Sequence, residues 1–169
     1  NLSMELLRLS GSTMLCIGAH DPDRTAREVT EFMAASAKER GISLSLECGA
    51  GPGPVLFDAE AMHRCLLNLV TNAIDACAES EQGPRRVAVS TSLEDGFVWF
   101  SVADNGPGMS EAIRRRIFTE PLSTKGSRGT GFGLLSAKQI TEAHGGSIEV
   151  FSTPGGGAVF VVGIPAREP

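Results

Sequence analysis

A chain of 169 residues with 41% hydrophobic content can build one domain with a full core and a short appendage. Its net charge of −5 and pI of about 5.2 exclude a general nucleic-acid binder, so no nucleic-acid partner is expected. No apolar run approaches the roughly 20 residues of a membrane span, and no signal peptide opens the chain.

Residues Asn1 to Ser10 read as the end of an amphipathic helix, with Leu2, Leu6 and Leu9 on one side. The chain begins with Asn rather than Met and reads as an excised piece of a longer protein. A membrane anchor could lie upstream, while this domain is expected in the cytoplasm. Gly11 to Asp23 is a poorly patterned connection. Arg24 to Arg40 is a predicted helix with Val29, Phe32, Met33 and Ala37 inward and Gly41 as C-cap. Ile42, Leu44 and Leu46 alternate with polar residues, as in a half-buried strand. Gly49 to Pro54 is a loop. Asp58 caps a long helix to about Ser80, stopped by Gly83-Pro84.

Val87 to Leu93 and Phe97 to Ala103 form two predicted strands joined by a hairpin through Glu94-Asp95-Gly96. Ser110 caps a short helix to about Arg116. Gly126 to Gly131 is too glycine-rich to be rigid. A helix from Gly131 to His144 ends at Gly145-Gly146. Ile148 to Ser152 and Ala158 to Ile164 form a last hairpin. Hairpins dominate the strands, so the expected fold class is α+β: a two-layer sandwich of a mostly antiparallel sheet with helices on one face. The four cysteines, Cys16, Cys48, Cys65 and Cys77, lack pairing or metal spacing and read as small buried hydrophobes in a reducing compartment.

Four motifs carry the chemistry. On the long helix, Arg64, Asn68, Asn72, Asp75 and Glu79 fall within an arc of roughly 80° on an otherwise apolar surface. Asparagine is a poor helix-interior residue, and its amide oxygen can ligate a hard ion such as Mg²⁺. Asp104, at a strand end, precedes Gly106 and Gly108, where a flat ligand can approach the backbone. Its carboxylate can accept a hydrogen bond from an exocyclic amine. Phe118 to Gly129, with Lys125 and Arg128, reads as a flap closing over a ligand. Gly129-Thr130-Gly131-Phe132-Gly133-Leu134 opens a helix with unobstructed N–H groups suited to phosphate. It is neither a Walker loop nor a Rossmann turn. A solvated face, a tight turn and an ordinary helix start are the plain alternatives for these motifs taken singly.

In this order the motifs resemble the asparagine, first glycine, phenylalanine and second glycine boxes of the catalytic ATP-binding domain of sensor histidine kinases. That family belongs to the GHKL (Bergerat) superfamily of type II topoisomerases, heat-shock chaperones and mismatch-repair proteins. The resemblance covers about Thr25 to Pro165, including His144-Gly145-Gly146-Ser147-Ile148-Glu149-Val150. It implies that Asn72 binds Mg²⁺ and that Asn68 lies near the phosphates. It implies that Asp104 binds the adenine amine, with Gly106, Gly108 and Met109 around the base. Phe118 to Lys125 and the glycines after it would form the ATP lid. Gly129, Thr130, Gly131, Phe132, Gly133 and Leu134 would meet the triphosphate of ATP. Asn68 stands where the hydrolysing branches carry a glutamate base, and an amide takes no proton at neutral pH, so phosphoryl transfer is expected over hydrolysis.

Asp75 and Ala76 stand where many histidine kinases have a lysine and an aromatic residue. Asp75, Pro121 and Lys125 resemble the nitrogen-regulation type. Arg116, Lys125 and Arg128 are the candidates to restore positive charge, Lys125 with a catalytic role beside Asn68. Ala158 replaces a common threonine. No histidine fits a phosphoacceptor, so residues 1–20 are expected to be the tail of the phosphoacceptor helical domain and its linker. Residues 21–169 would be the catalytic domain. The implied partners are that helical domain and a response regulator, with the full-length chain a homodimer. The alternatives are a degenerate regulatory domain that binds nucleotide without transfer, and an anti-sigma-type serine kinase.

Overall fold

Asp58 and Asp21 start the two long helices, each with its carboxylate on the free N–H groups of the first turn. In the computed structural model, which describes residues 14–51, 53–81, 83–121 and 131–169, Asp21 accepts from Asp23 N at 2.9 Å and opens α1 (Pro22–Glu39). Asp58 accepts from Ala61 N at 2.9 Å through Oδ1 and opens α2 (Ala59–Glu79). Its Oδ2 accepts the Cys16 N–H at 2.8 Å. Burial raises the Asp58 pKa, but these two backbone donors, with His144 and Arg64 nearby, outweigh it and hold the carboxyl below its ordinary value.

The remaining elements are β1 (Gly18–His20), β2 (Ile42–Glu47), β3 (Val55–Phe57), β4 (Arg85–Glu94), β5 (Phe97–Asp104), α3 (Glu111–Arg116), α4 (Gly133–Ala143), β6 (Ser147–Ser152) and β7 (Ala158–Pro165). The main sheet has the order β2-β4-β5-β7-β6. Only β2–β4 is parallel; the other three pairs are antiparallel. Asp95 and Gly96, both with positive φ, form the two-residue turn between β4 and β5 that matches strand twist. Val87, Val89, Val98, Phe100, Val102, Phe160 and Val162 alternate inward from the sheet. They share one core with Leu66, Leu69, Val70 and Ile74 of α2 and with Ala137 and Ile140 of α4. The expected α+β sandwich is the observed one.

Two short strands were not legible in the sequence. β1 lies within the stretch read as a connection and pairs antiparallel with β3. Three residues carry no periodicity, and β3 is held from outside: on β1, and by Leu56 N donating to Arg167 O at 2.8 Å. Phe32, expected inward, is 69% exposed. It lies about 100° from Met33, off the buried Ala26, Val29, Met33 and Ala37 stripe. Cys65 and Cys77 are buried as expected, whereas Cys16 and Cys48 are exposed, in the segment before β1 and just beyond edge strand β2. Burial pushes the Cys65 thiol up to about 11. Residues 1–13 and 122–130 lie outside the described residues, and with them the Asn1–Ser10 helix and most of the expected lid.

Candidate nucleotide site

The inward-facing ends of α2, β5 and β7 meet at a cavity of about 220 Å³. Asp104 ends β5 and is paired in register with Ala158, and Val102 with Phe160. Alternation therefore puts Asp104, Ala158 and Phe160 on one face, and all three line the cavity. Asn72, Ala76 and Glu79 face it from α2, spaced by turns of one helix. Gly108 and Met109 close one side, and Leu134 of α4 another. Among the described residues, the charged side chains in this lining are two carboxylates, Asp104 and Glu79, with no cation. Such a lining favours a flat apolar group that donates hydrogen bonds over a phosphate.

Asp104 is 8% exposed, and its Oδ1 accepts the Gly106 N–H at 2.9 Å. Two glycines allow the turn after it. Gly108 has φ +70, and a Cβ there would collide with the Thr153 carbonyl oxygen. A Cβ on Gly106 would stand 2.9 Å from the Ala76 carbonyl. The Met109 N–H is held by Ser152 Oγ at 2.9 Å, and that hydroxyl donates to Gly157 O at 2.6 Å.

The start of α4 supplies the complementary end. Phe132 is its N-cap residue and makes no side-chain capping bond. The first N–H groups of α4 therefore have no intrahelical partner and, among the described residues, no side-chain cap, an arrangement suited to an anion. Gly131 has φ +72 and turns the chain into the helix. A Cβ on Gly133 would stand 3.7 Å from Asn68 Oδ1, so Asn68 faces this helix start. Asn72, one turn further along α2, lines the Asp104 cavity.

Among the expected site residues, Asn72, Ala76, Asp104, Gly108, Met109 and Leu134 line one cavity. Gly106 adjoins it through Ala76 and Asp104, Asn68 and Gly133 face each other beside it, and Gly131 and Phe132 lead into α4. Phe118 stacks edge-on against Phe160 at 6.1 Å, behind the cavity wall. Asp75 does not line the cavity: Arg40 at the C-cap of α1 binds its carboxylate at 2.6 Å. Arg116 is taken up by Glu120 at 2.6 Å, a contact that raises the Arg116 pKa and lowers that of Glu120. Lys125, Gly129 and Thr130, with Arg128, lie outside the described residues. Pro107, Ile113, Ile117 and Phe160 complete the lining and were not expected from the sequence. For Phe160 the signal was present in the inward alternation of β7; for Ile113 and Ile117 it depended on how α3 packs.

The profile of the histidine kinase-, DNA gyrase B-, and HSP90-like ATPases matches residues 57–168. The chain belongs to this family. It is 35% identical over 163 residues to the sensor histidine kinase ZraS of Klebsiella oxytoca, covering 96% of this chain and 34% of that protein. Full-length ShkA in complex with AMPPNP superimposes with a TM-score of 0.82 at 31% identity, over 94% of this chain and 33% of ShkA. Histidine kinase ThkA in complex with the response regulator TrrA gives 0.77 at 25% identity, over 98% of this chain and 46% of ThkA. The chain thus spans about a third of the length of ZraS and of ShkA. Among the described residues no helix is long and apolar enough to cross a membrane.

Proposed function

We propose that this chain is the ATP-binding catalytic domain of a two-component sensor histidine kinase. It transfers the γ-phosphoryl of ATP to a histidine outside it, for relay to a response regulator. The observation that carries the reading is the buried Asp104 carboxylate in an otherwise largely apolar cavity beside the uncapped start of α4. Adenine fills the cavity with its exocyclic amine on Asp104, while Gly106, Gly108 and Met109 shape the base site. The phosphates lie at the N–H groups of Gly131, Phe132, Gly133 and Leu134, with Gly129 and Thr130, next before them in sequence, as further phosphate-binding residues. Family membership and the AMPPNP complex of ShkA support an adenine nucleotide.

The residues present fit Mg²⁺ carried in by the phosphates. Among the described residues no group of three His, Cys, Asp or Glu side chains could hold a metal by itself. Asn72 offers one neutral oxygen, and Mg²⁺ takes few protein ligands and keeps waters and phosphate oxygens. Bound there, the ion would neutralise charge on the phosphates. Asn68, an amide, orients the phosphates and cannot act as a base for water. Lys125 supplies charge from the lid, and Arg116 can do so by leaving Glu120. Asp75 is held by Arg40, which turns its carboxylate charge away from the phosphates.

The acceptor histidine lies in a helical domain of the same protein, with residues 1–20 as its tail and linker and residues 21–169 as the catalytic domain. The ThkA–TrrA complex supports a response regulator as the onward partner. The full-length chain is read as a homodimer with this domain in the cytoplasm. The full-length protein incubated with γ-labelled Mg-ATP is expected to acquire acid-labile, base-stable phosphate. ATP bound without such label would overturn the transfer and leave a nucleotide-binding regulatory domain.

A further inference from the structure

Asn105 follows the base-recognising carboxylate, and its side chain reaches two other pieces of chain. Its Oδ1 accepts the Arg86 N–H at 2.7 Å, and its Nδ2 donates to the Pro84 carbonyl at 2.6 Å. Its own N–H donates to Arg86 O at 3.2 Å. The Cys77 thiol, on α2, stands 3.5 Å from Oδ1 and 3.3 Å from Arg86 O.

 Cys77 precedes Asn105 by 28 positions, and the packing of α2 on β5 brings the two together. Burial raises the Cys77 pKa, so the thiol keeps its proton and donates. Cys77 directly follows Ala76, which lines the cavity and whose carbonyl limits the space beside Gly106.

One side chain thus ties the turn after Asp104 to the start of β4 and to the last turns of α2. The Asp104 turn and α2 are two walls of the cavity. We propose that Asn105 is a positioning residue that sets the gap between Asp104 and Ala76, and through it the selection of a 6-amino purine. The role needs one acceptor and one donor on a short stem, which asparagine has. Aspartate would turn a second acceptor toward the Pro84 carbonyl, and alanine would release all three side-chain contacts. This inference rests on the adenine-nucleotide reading above.

The test is the affinity of wild type, Asn105→Ala and Asn105→Asp for ATP, for inosine triphosphate, which carries a 6-oxo group, and for inorganic tripolyphosphate. Wild type is expected to prefer ATP over inosine triphosphate. In both variants ATP affinity should fall by about tenfold, the worth of one well-placed hydrogen bond, while inosine triphosphate and tripolyphosphate bind as before. Partial unfolding would weaken all three ligands by the same factor, so the ratio of their affinities still reports in a less stable variant. A lower Tm with an unchanged ratio of the two nucleotides would overturn the proposal, as would equal weakening of all three ligands. No wild-type preference for ATP would overturn the adenine reading itself, and the role of Asn105 with it.

Discussion

Asp104→Asn is expected to weaken ATP binding by about a hundredfold and leave the fold intact. A hydrogen bond to a charged group is worth roughly 1.5–3 kcal/mol, and each 1.4 kcal/mol is a factor of ten. The amide is the same size as the carboxylate. Its oxygen can still accept the Gly106 N–H, which now bonds Oδ1 at 2.9 Å, so the turn should survive. Its NH₂ group then faces the exocyclic amine, donor against donor, and the charge is lost. Calorimetric titration of both proteins with ATP checks this, with thermal unfolding as the control. Unchanged affinity would remove Asp104 from the base site.

Asn72→Ala should abolish the dependence of ATP affinity on Mg²⁺. Asn72 lies in the middle of α2 with no side-chain capping or core role, and alanine is the better helix former, so stability should hold or rise slightly. In wild type, ATP should bind more tightly with Mg²⁺ than with a chelator; in the variant the two affinities should agree to within about a factor of two, because the protein ligand is gone. A retained Mg²⁺ effect would place the ion on other residues. Asn68→Ala is not an equivalent change, since Asn68 faces the start of α4.

The long elements and the motif positions were readable because periodicity and spacing are local properties. The polar stripe of α2 gave Asn68 and Asn72, and the strand alternation before Asp104 gave its inward direction. Caps at Asp58 and Ser110 followed from residue type alone, and both make the expected bond. What could not be read depends on contacts between distant segments. β1 and β3 exist through each other and through Arg167. Asp75 looks like part of the ligand stripe until Arg40, 35 positions earlier, takes its carboxylate. Ile113, Ile117 and Phe160 become cavity walls only when α3 and β7 are in place. The partner of Arg116 was visible locally, since Glu120 stands four positions away.

Adenine nucleotide is expected to enter the cavity between α2, β5 and α4. A second, more open groove lies at the other end of the sheet, lined by Leu93, Gly96 and Arg167 among others. Titrating the isotope-labelled protein with ATP and following backbone amide resonances separates the two. The largest shifts are expected at Ala76, Gly106, Gly108, Met109 and Leu134. Shifts concentrated at Leu93, Gly96 and Arg167, or none at Gly106 and Gly108, would contradict it.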